Sequence, residues 1–313
     1  MKNSIFDPSN FELNFESDDE LIKGNRECKD TLFCFLFGNE KYKELTLSLY
    51  NAINGTDYDD PSLITISTLK DVIFVSIRND VSFLIEGTFN FYEHQSTFNP
   101  NMPIRMFIYA AREYNKYICD RKMNVYLDSK LTLPVPKLVC FYNGDKDQPD
   151  SRLLRFTDLL GEGTDPSVSD IEITIHMFNI NFDRNRDLLN KCRALQEYSM
   201  FVQGVRNFIT QHTLTHKDNI APAIIYALDN LPEESVIRPI LLSNKSEVID
   251  MCITEYTREK ELYFHKRETE EAVLNNKKET AKNMLLNGIS DELIIKCTGI
   301  SPELLDEIKK NMN

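Results

Sequence analysis

The segment from Asp80 to Gln95 constrains this chain more than any other. Two strand-like runs, Asp80–Ile85 and Thr88–Ser96, flank Glu86-Gly87, which reads as a two-residue hairpin turn. Under that turn Asp80 lies opposite Glu93, and paired positions share a face with Cβ atoms about 5 Å apart. Gln95 joins the same face, because side chains alternate along a strand. A three-residue turn would instead slip the register by one and set His94 opposite Asp80.

Two carboxylates held this close repel each other unless a cation sits between them. Hard oxygen donors at this spacing suit Mg²⁺, with Mn²⁺ as a substitute, and such an ion keeps several waters. It activates a water and neutralises charge that builds on a phosphoryl oxygen. In the two-residue register the His94 side chain points away from the carboxylates, while its backbone carbonyl can reach the ion. The plain alternative is that Asp80 and Glu93 are solvated hairpin carboxylates.

Hydrophobic residues make up 42% of the 313 positions, enough to bury a core. No apolar run approaches the roughly 20 residues of a membrane span. The polar, acidic start of the chain lacks an apolar signal core, so secretion is not expected. The seven cysteines are scattered, with no CxxC pair, which argues against a disulfide framework or a structural zinc and suits free thiols in a reducing cytoplasm. A net charge of −13 argues against nucleic acid as a partner unless one face is basic.

Residues 1–26 read as a polar arm. Residues 27–218 mix helices and strands around one sheet, an α/β core. An opening helix carries Leu32, Phe33, Leu36 and Phe37, and a second runs from Glu40 to Asn51. Strands are expected at Leu63–Ser67, Val72–Ile77, the hairpin, Lys137–Tyr142 and Glu172–Asn179. A helix opens at Pro103 with Ile104, Phe107, Ile108, Ala111, Tyr114 and Ile118 on its apolar face. Another runs from Arg186 to His212. Residues 219–285 are helical in pattern, with charged positions dominating from Glu255 to Lys282. Residues 286–313 suggest two short helices, with Ser290 and Ser301 as N-caps and a turn at Thr298-Gly299.

The stretch Asn79-Asp80-Val81-Ser82-Phe83, Tyr92-Glu93-His94-Gln95-Ser96-Thr97, Asn99-Pro100-Asn101-Met102-Pro103 and Arg105 resembles the recombination-promoting nuclease (Rpn) family. That family belongs to the PD-(D/E)XK nucleases and is often labelled transposase-like. Further segments fit it: Lys29 to Phe33 with Leu36-Phe37, Glu197-Tyr198, Val205-Arg206, Glu247 to Met251, and Gly288 to Ile300. The resemblance implies a restriction-endonuclease-like mixed α/β core with flanking helices and an all-helical C-terminal region. It implies Asp80 and Glu93 as metal ligands, with Gln95 where the superfamily more often has lysine. Glutamine offers hydrogen bonds but no charge, so catalysis would lean more on the metal.

Glu27 and Asp30 are candidates for a further acid on the opening helix, with helix capping as the alternative for Asp30. On the helix after the hairpin, Arg105 is expected to hold a DNA phosphate, with Arg112 and Lys116 as further phosphate contacts. Two functions follow. The first is a Mg²⁺-dependent DNA endonuclease that promotes recombination or serves a mobile-element or defence system. The second is a non-catalytic DNA-binding or regulatory protein that keeps the fold. The expected partners are DNA and a second copy of the chain, with the C-terminal module binding protein or DNA.

Overall fold

The computed structural model describes residues 32–67, 81–212 and 220–310, with 254, 256–268, 270 and 271 described by their backbone alone. Two compact units divide the chain, the first ending at Cys252 and the second starting at Ile253. The expected arm over residues 1–26, the strand at Val72–Ile77, and the candidate residues Glu27, Asp30 and Asp80 lie outside the described residues.

The first unit is built on a six-stranded mixed sheet. Its strands are β1 (Thr65–Ile66), β2 (Val81–Ile85), β3 (Thr88–Gln95), β4 (Val135–Tyr142), β5 (Ser151–Arg155) and β6 (Thr174–Asn179), in spatial order β1-β2-β3-β4-β6-β5. The first three form an antiparallel meander. Strands β4 and β6 then run parallel to β3, and β5 closes the far edge antiparallel to β6. Parallel neighbours need a crossover, and helix α3 supplies it between β3 and β4. The described α-helices of this unit are α1 (Leu32–Phe37), α2 (Lys43–Asn54), α3 (Met102–Asp120), α4 (Arg186–Lys191), α5 (Arg193–Gln211), α6 (Ile220–Asp229), α7 (Arg238–Ser243) and the first residues of α8 (Lys245–Leu286). A mixed α/β core followed by a helical C-terminal region is therefore the observed architecture.

The hairpin turn has two residues. Glu86 (φ 45°) and Gly87 (φ 71°) both occupy the left-handed region, as a tight two-residue loop requires. Pairing runs from Ile85↔Thr88 to Val81↔Tyr92, which excludes the slipped register. Nearly every residue of β3 is buried, because both faces of the sheet are covered. On one face Phe89 and Phe91 pack with Cys140, Tyr142, Ile175 and Met177 under Met102, Met106, Tyr109 and Ala110 of α3. On the other, Tyr92, His94 and Phe141 meet Phe33 of α1 and Tyr198 of α5 in an aromatic cluster. Each fully buried ring stabilises the fold by roughly 1.5–3 kcal/mol.

Three expectations need correction. Helix α3 buries Met102, Pro103, Met106, Tyr109, Ala110 and Glu113, whereas Phe107 is 40% exposed and Ala111 is exposed. The helix carries two apolar stripes, and the more hydrophobic one is not the one the sheet takes. The expected helix from Arg186 to His212 is two helices, because Cys192 is extended (φ −129°, ψ 97°). Strand β5 has no counterpart among the strands expected from the sequence. Only Leu154 of Ser151–Arg155 is buried, so this edge strand shows no alternation to detect.

Glu197 explains why the α5 segment carries an acid. Its buried carboxylate accepts hydrogen bonds from Arg193 Nε (2.9 Å), Ser235 Oγ (2.8 Å), Val236 N (2.8 Å) and Ile237 N (3.1 Å), and so fixes the loop that leads into α7. In the second unit, the later part of α8, α9 (Asp291–Thr298) and α10 (Pro302–Lys310) enclose a small core of Ala281, Ile294, Ile300 and Leu305. Gly299 ends α9 in the left-handed conformation (φ 63°), as the turn at Thr298-Gly299 predicts. Ser301 Oγ caps α10 through Leu304 N (3.3 Å), whereas Ser290 sits at the N-cap of α9 without a side-chain cap bond. No described helix is long and apolar enough to cross a membrane.

Candidate metal centre

Residues 93 to 95 end the central strand, and alternation splits them between the two faces of the sheet. Glu93 and Gln95 lie on the α3 face, 3% and 6% exposed. His94 lies on the other face, its ring stacked on Phe33 (centroids 5.2 Å apart) and its Nε2 3.1 Å from the Tyr198 hydroxyl. Burial and, secondarily, the positive charge of Arg206 push the imidazole pKa down to about 3, so the ring is neutral at ordinary pH. Its side chain is thus part of the aromatic packing. Its peptide group has a different direction. The Gln95 carbonyl accepts from Asn143 N of the β4 side (2.8 Å), and successive peptides alternate edges, so the His94 carbonyl is directed toward the β2 edge.

The Glu93 carboxylate meets Arg105 from the first turns of α3, with Nη2 2.7 Å from Oε1. The Arg105 side chain is 36% exposed and that of Glu93 4%. Tyr109, one turn further along, receives Nη2 (2.9 Å) and Nε (3.2 Å) on its hydroxyl oxygen. The spacing of four residues stacks the two side chains on one side of the helix.

Gln95 is less well provided for. Its Nε2 points at the sulfur of Met102 (2.7 Å), a weak acceptor, and its Oε1 is buried with no hydrogen-bond partner among the described residues. A buried carbonyl without a donor costs about 1–3 kcal/mol. The exits of β3 and β4 are pressed together beside it. A Cβ on Gly144 would stand 2.2 Å from the Ser96 carbonyl oxygen, so only glycine fits. Arg206 fixes that exit through Asn143 Oδ1 (2.8 Å), Asn181 Oδ1 (3.1 Å) and the Asn143 carbonyl, and pairs with Asp145 at 3.6 Å.

The structure therefore brings together Glu93, Gln95 and Arg105, and turns the His94 side chain away. Asp80, the second expected carboxylate, is outside the described residues, as are Glu27 and Asp30. Among the described residues no group of three or more His, Cys, Asp or Glu side chains could hold a metal. The donors that are present fit a hard divalent cation in kind: a buried carboxylate, and beside it an orphaned amide oxygen able to accept from a water. Arg112 and Lys116, both half-buried, follow Arg105 at seven and eleven residues, which puts all three on one stripe of α3. Sequence reasoning misses Tyr109, although its place four residues after Arg105 is an available signal.

A second buried acid, Glu113, also faces the sheet from α3 and is 2% exposed. Burial raises its pKa to about 7, against an opposing pull from Lys116, and its Oε1 has no hydrogen-bond partner among the described residues. Nothing in the sequence marks it, since an acid on the buried stripe runs against the apolar pattern. Comparison with protein-family models, with curated proteins and with solved structures gives no match.

Proposed function

We propose that this chain is a metal-dependent DNA endonuclease of the PD-(D/E)XK kind, with its centre on the α3 face at the end of β3. The observation that carries the reading is the pairing of Glu93 with Gln95 there. Two buried polar side chains occupy alternate positions on one face, and the Gln95 amide oxygen has no donor among the described residues. Packing alone gives no reason for a carboxamide at that place. A mixed sheet flanked by helices is also what the Rpn resemblance implies.

In this reading Glu93, Asp80 and the His94 carbonyl hold Mg²⁺, which supplies an activated water and neutralises charge on the phosphoryl oxygen. Gln95 Oε1 accepts a hydrogen bond from the attacking water and orients it. Arg105 contacts the scissile phosphate, and Arg112 and Lys116 extend that contact along the DNA backbone. Supercoiled plasmid incubated with Mg²⁺ or Mn²⁺ tests this directly. Nicking or linearisation is expected for the wild type and is lost in Asp80→Ala and Glu93→Ala. Equal cutting by all three proteins, or by none, overturns the assignment.

The Arg105–Glu93 ion pair favours a second reading, in which the carboxylate is a structural anchor and the protein binds DNA without cutting it. In that case Mn²⁺ titrated into the protein gives no saturable heat, while a labelled duplex is still bound.

A further inference from the structure

We infer that Arg105 is an exchangeable counter-ion, positioned by Tyr109, whose transfer from Glu93 to a phosphodiester couples metal loading to the arrival of DNA. This rests on the proposed metal centre and adds its regulation. Glu93 is buried, and the positive group seen beside it is a guanidinium 2.7 Å away. A divalent cation on the same carboxylate would be repelled by that guanidinium, more strongly than two unit charges repel. Both cannot occupy Glu93 comfortably at once.

The arginine has somewhere to go. Its side chain is 36% exposed, in contrast to the 4% of its partner. Two of its nitrogens share the Tyr109 hydroxyl, which holds the head of the side chain over the site from one turn along the helix. The other two basic residues of the same stripe, Arg112 and Lys116, lead away from the site. A phosphodiester drawn along that stripe offers the planar guanidinium of Arg105 two anionic oxygens, a bidentate partner as good as the carboxylate it leaves. Glu93 is then released to the cation. Without DNA, Arg105 guards the carboxylate and metal binds weakly. With DNA, each ligand raises the affinity of the other, as linkage requires.

Mn²⁺ affinity, measured by calorimetry on the full chain, tests the exchange without recourse to cleavage. Arg105→Gln is expected to bind Mn²⁺ about tenfold more tightly than the wild type in the absence of DNA. A short phosphorothioate duplex at saturation is expected to tighten Mn²⁺ binding to the wild type by a similar factor and to leave Arg105→Gln unchanged. Tyr109→Phe, which keeps the ring and loses the hydroxyl, is expected to tighten Mn²⁺ binding about threefold. It serves where Arg105→Gln does not fold. Wild-type Mn²⁺ affinity in Arg105→Gln, or in Tyr109→Phe if that is the folded variant, overturns the exchange. If Glu93→Gln has by then abolished Mn²⁺ binding, the metal centre itself survives. Unchanged Mn²⁺ binding in Glu93→Gln overturns both.

Discussion

The two faces of β3 differ more than neighbouring residues of one strand usually do. On the face toward α1 and α5, the His94 ring meets Phe33 and Tyr198 beside its strand partner Phe141, is kept neutral, and is joined to a hydroxyl. On the face toward α3, Glu93 pairs with Arg105, and Gln95 Oε1 and Glu113 Oε1 are buried without hydrogen-bond partners among the described residues. The first face is an aromatic core, although Asn90 Oδ1 and Tyr92 Oη on it are also buried without hydrogen-bond partners among the described residues. The second differs in holding a buried ion pair and a second buried acid, and proteins tend to place such polar cost where they do chemistry. The consecutive residues Glu93, His94 and Gln95 thus belong to different environments, and proximity in sequence says little about shared role.

The comparison breaks most readily at Glu93. Glu93→Ala is expected to lower plasmid cleavage by more than the roughly 100-fold that loss of an outer-shell partner costs a metal site. His94→Phe, one residue away, is expected to leave the cleavage rate within about twofold, since a phenyl ring keeps the stack on Phe33. Comparable losses in both variants would merge the two faces into one site.

A smaller effect separates burial from function at Gln95. Gln95→Met replaces an amide whose oxygen lacks a donor with an apolar side chain of similar length beside Met102. The fold is expected to keep its stability or gain up to about 1–3 kcal/mol, because a buried carbonyl without a donor is removed and no strong hydrogen bond is lost. Cleavage is expected to fall roughly 10- to 100-fold if the amide oxygen orients the attacking water. Urea denaturation and single-turnover cleavage measured on the same preparation check both halves. A large stability loss with unchanged turnover would make Gln95 a packing residue.

The two faces are also expected to respond to pH with opposite sign. His94 is neutral in both folded and unfolded chain above its ordinary value of 6.5, so its packing is then fully favourable. As pH falls, the unfolded chain takes a proton that the folded chain refuses until about 3, and stability declines through that window. Glu113 has the reverse sign. Below its ordinary value of 4.5 both states hold the proton; between 4.5 and about 7 the unfolded chain releases it first, and stability declines as pH rises. Either slope is at most about 1.4 kcal/mol per pH unit for one group. His94→Phe should flatten the acid limb of a stability–pH profile, and Glu113→Gln the limb between 4.5 and 7. A profile unaltered by Glu113→Gln would mean that the acid ionises freely in the folded chain.

Much of this contrast is legible in the residues. The turn at Glu86-Gly87 announces a two-residue loop, and the register through Val81↔Tyr92 follows from it, as does the opposite facing of Glu93 and His94. The mixed core and the helical C-terminal region are legible from changes of period. What escapes detection does so because tertiary packing decides it. The buried stripe of α3 contains Tyr109 and Glu113, which a pattern search discounts in favour of Ile104, Phe107 and Ile108. Strand β5 is recognisable only by its partner β6. The Arg105–Glu93 pair depends on how α3 crosses the end of β3, and no local spacing encodes that crossing.

The faintest expected effect concerns the outer stripe of α3 and uses the opposite layer as its control. Lys116 lies on the stripe that starts at Arg105, whereas Lys191 ends α4, which packs on α5, the helix whose Tyr198 meets His94. Lys116→Ala is expected to weaken binding of a labelled duplex about twofold and to lower the slope of log affinity against log salt by about 1, as when one fewer phosphate is neutralised by the protein. Lys191→Ala removes the same charge from the net total and should change neither quantity. Because both variants make the chain equally more acidic, a difference between them isolates local phosphate binding from overall charge. Equal weakening by the two would mean that DNA responds only to the global field of this acidic protein, and the α3 face would lose its claim to the duplex.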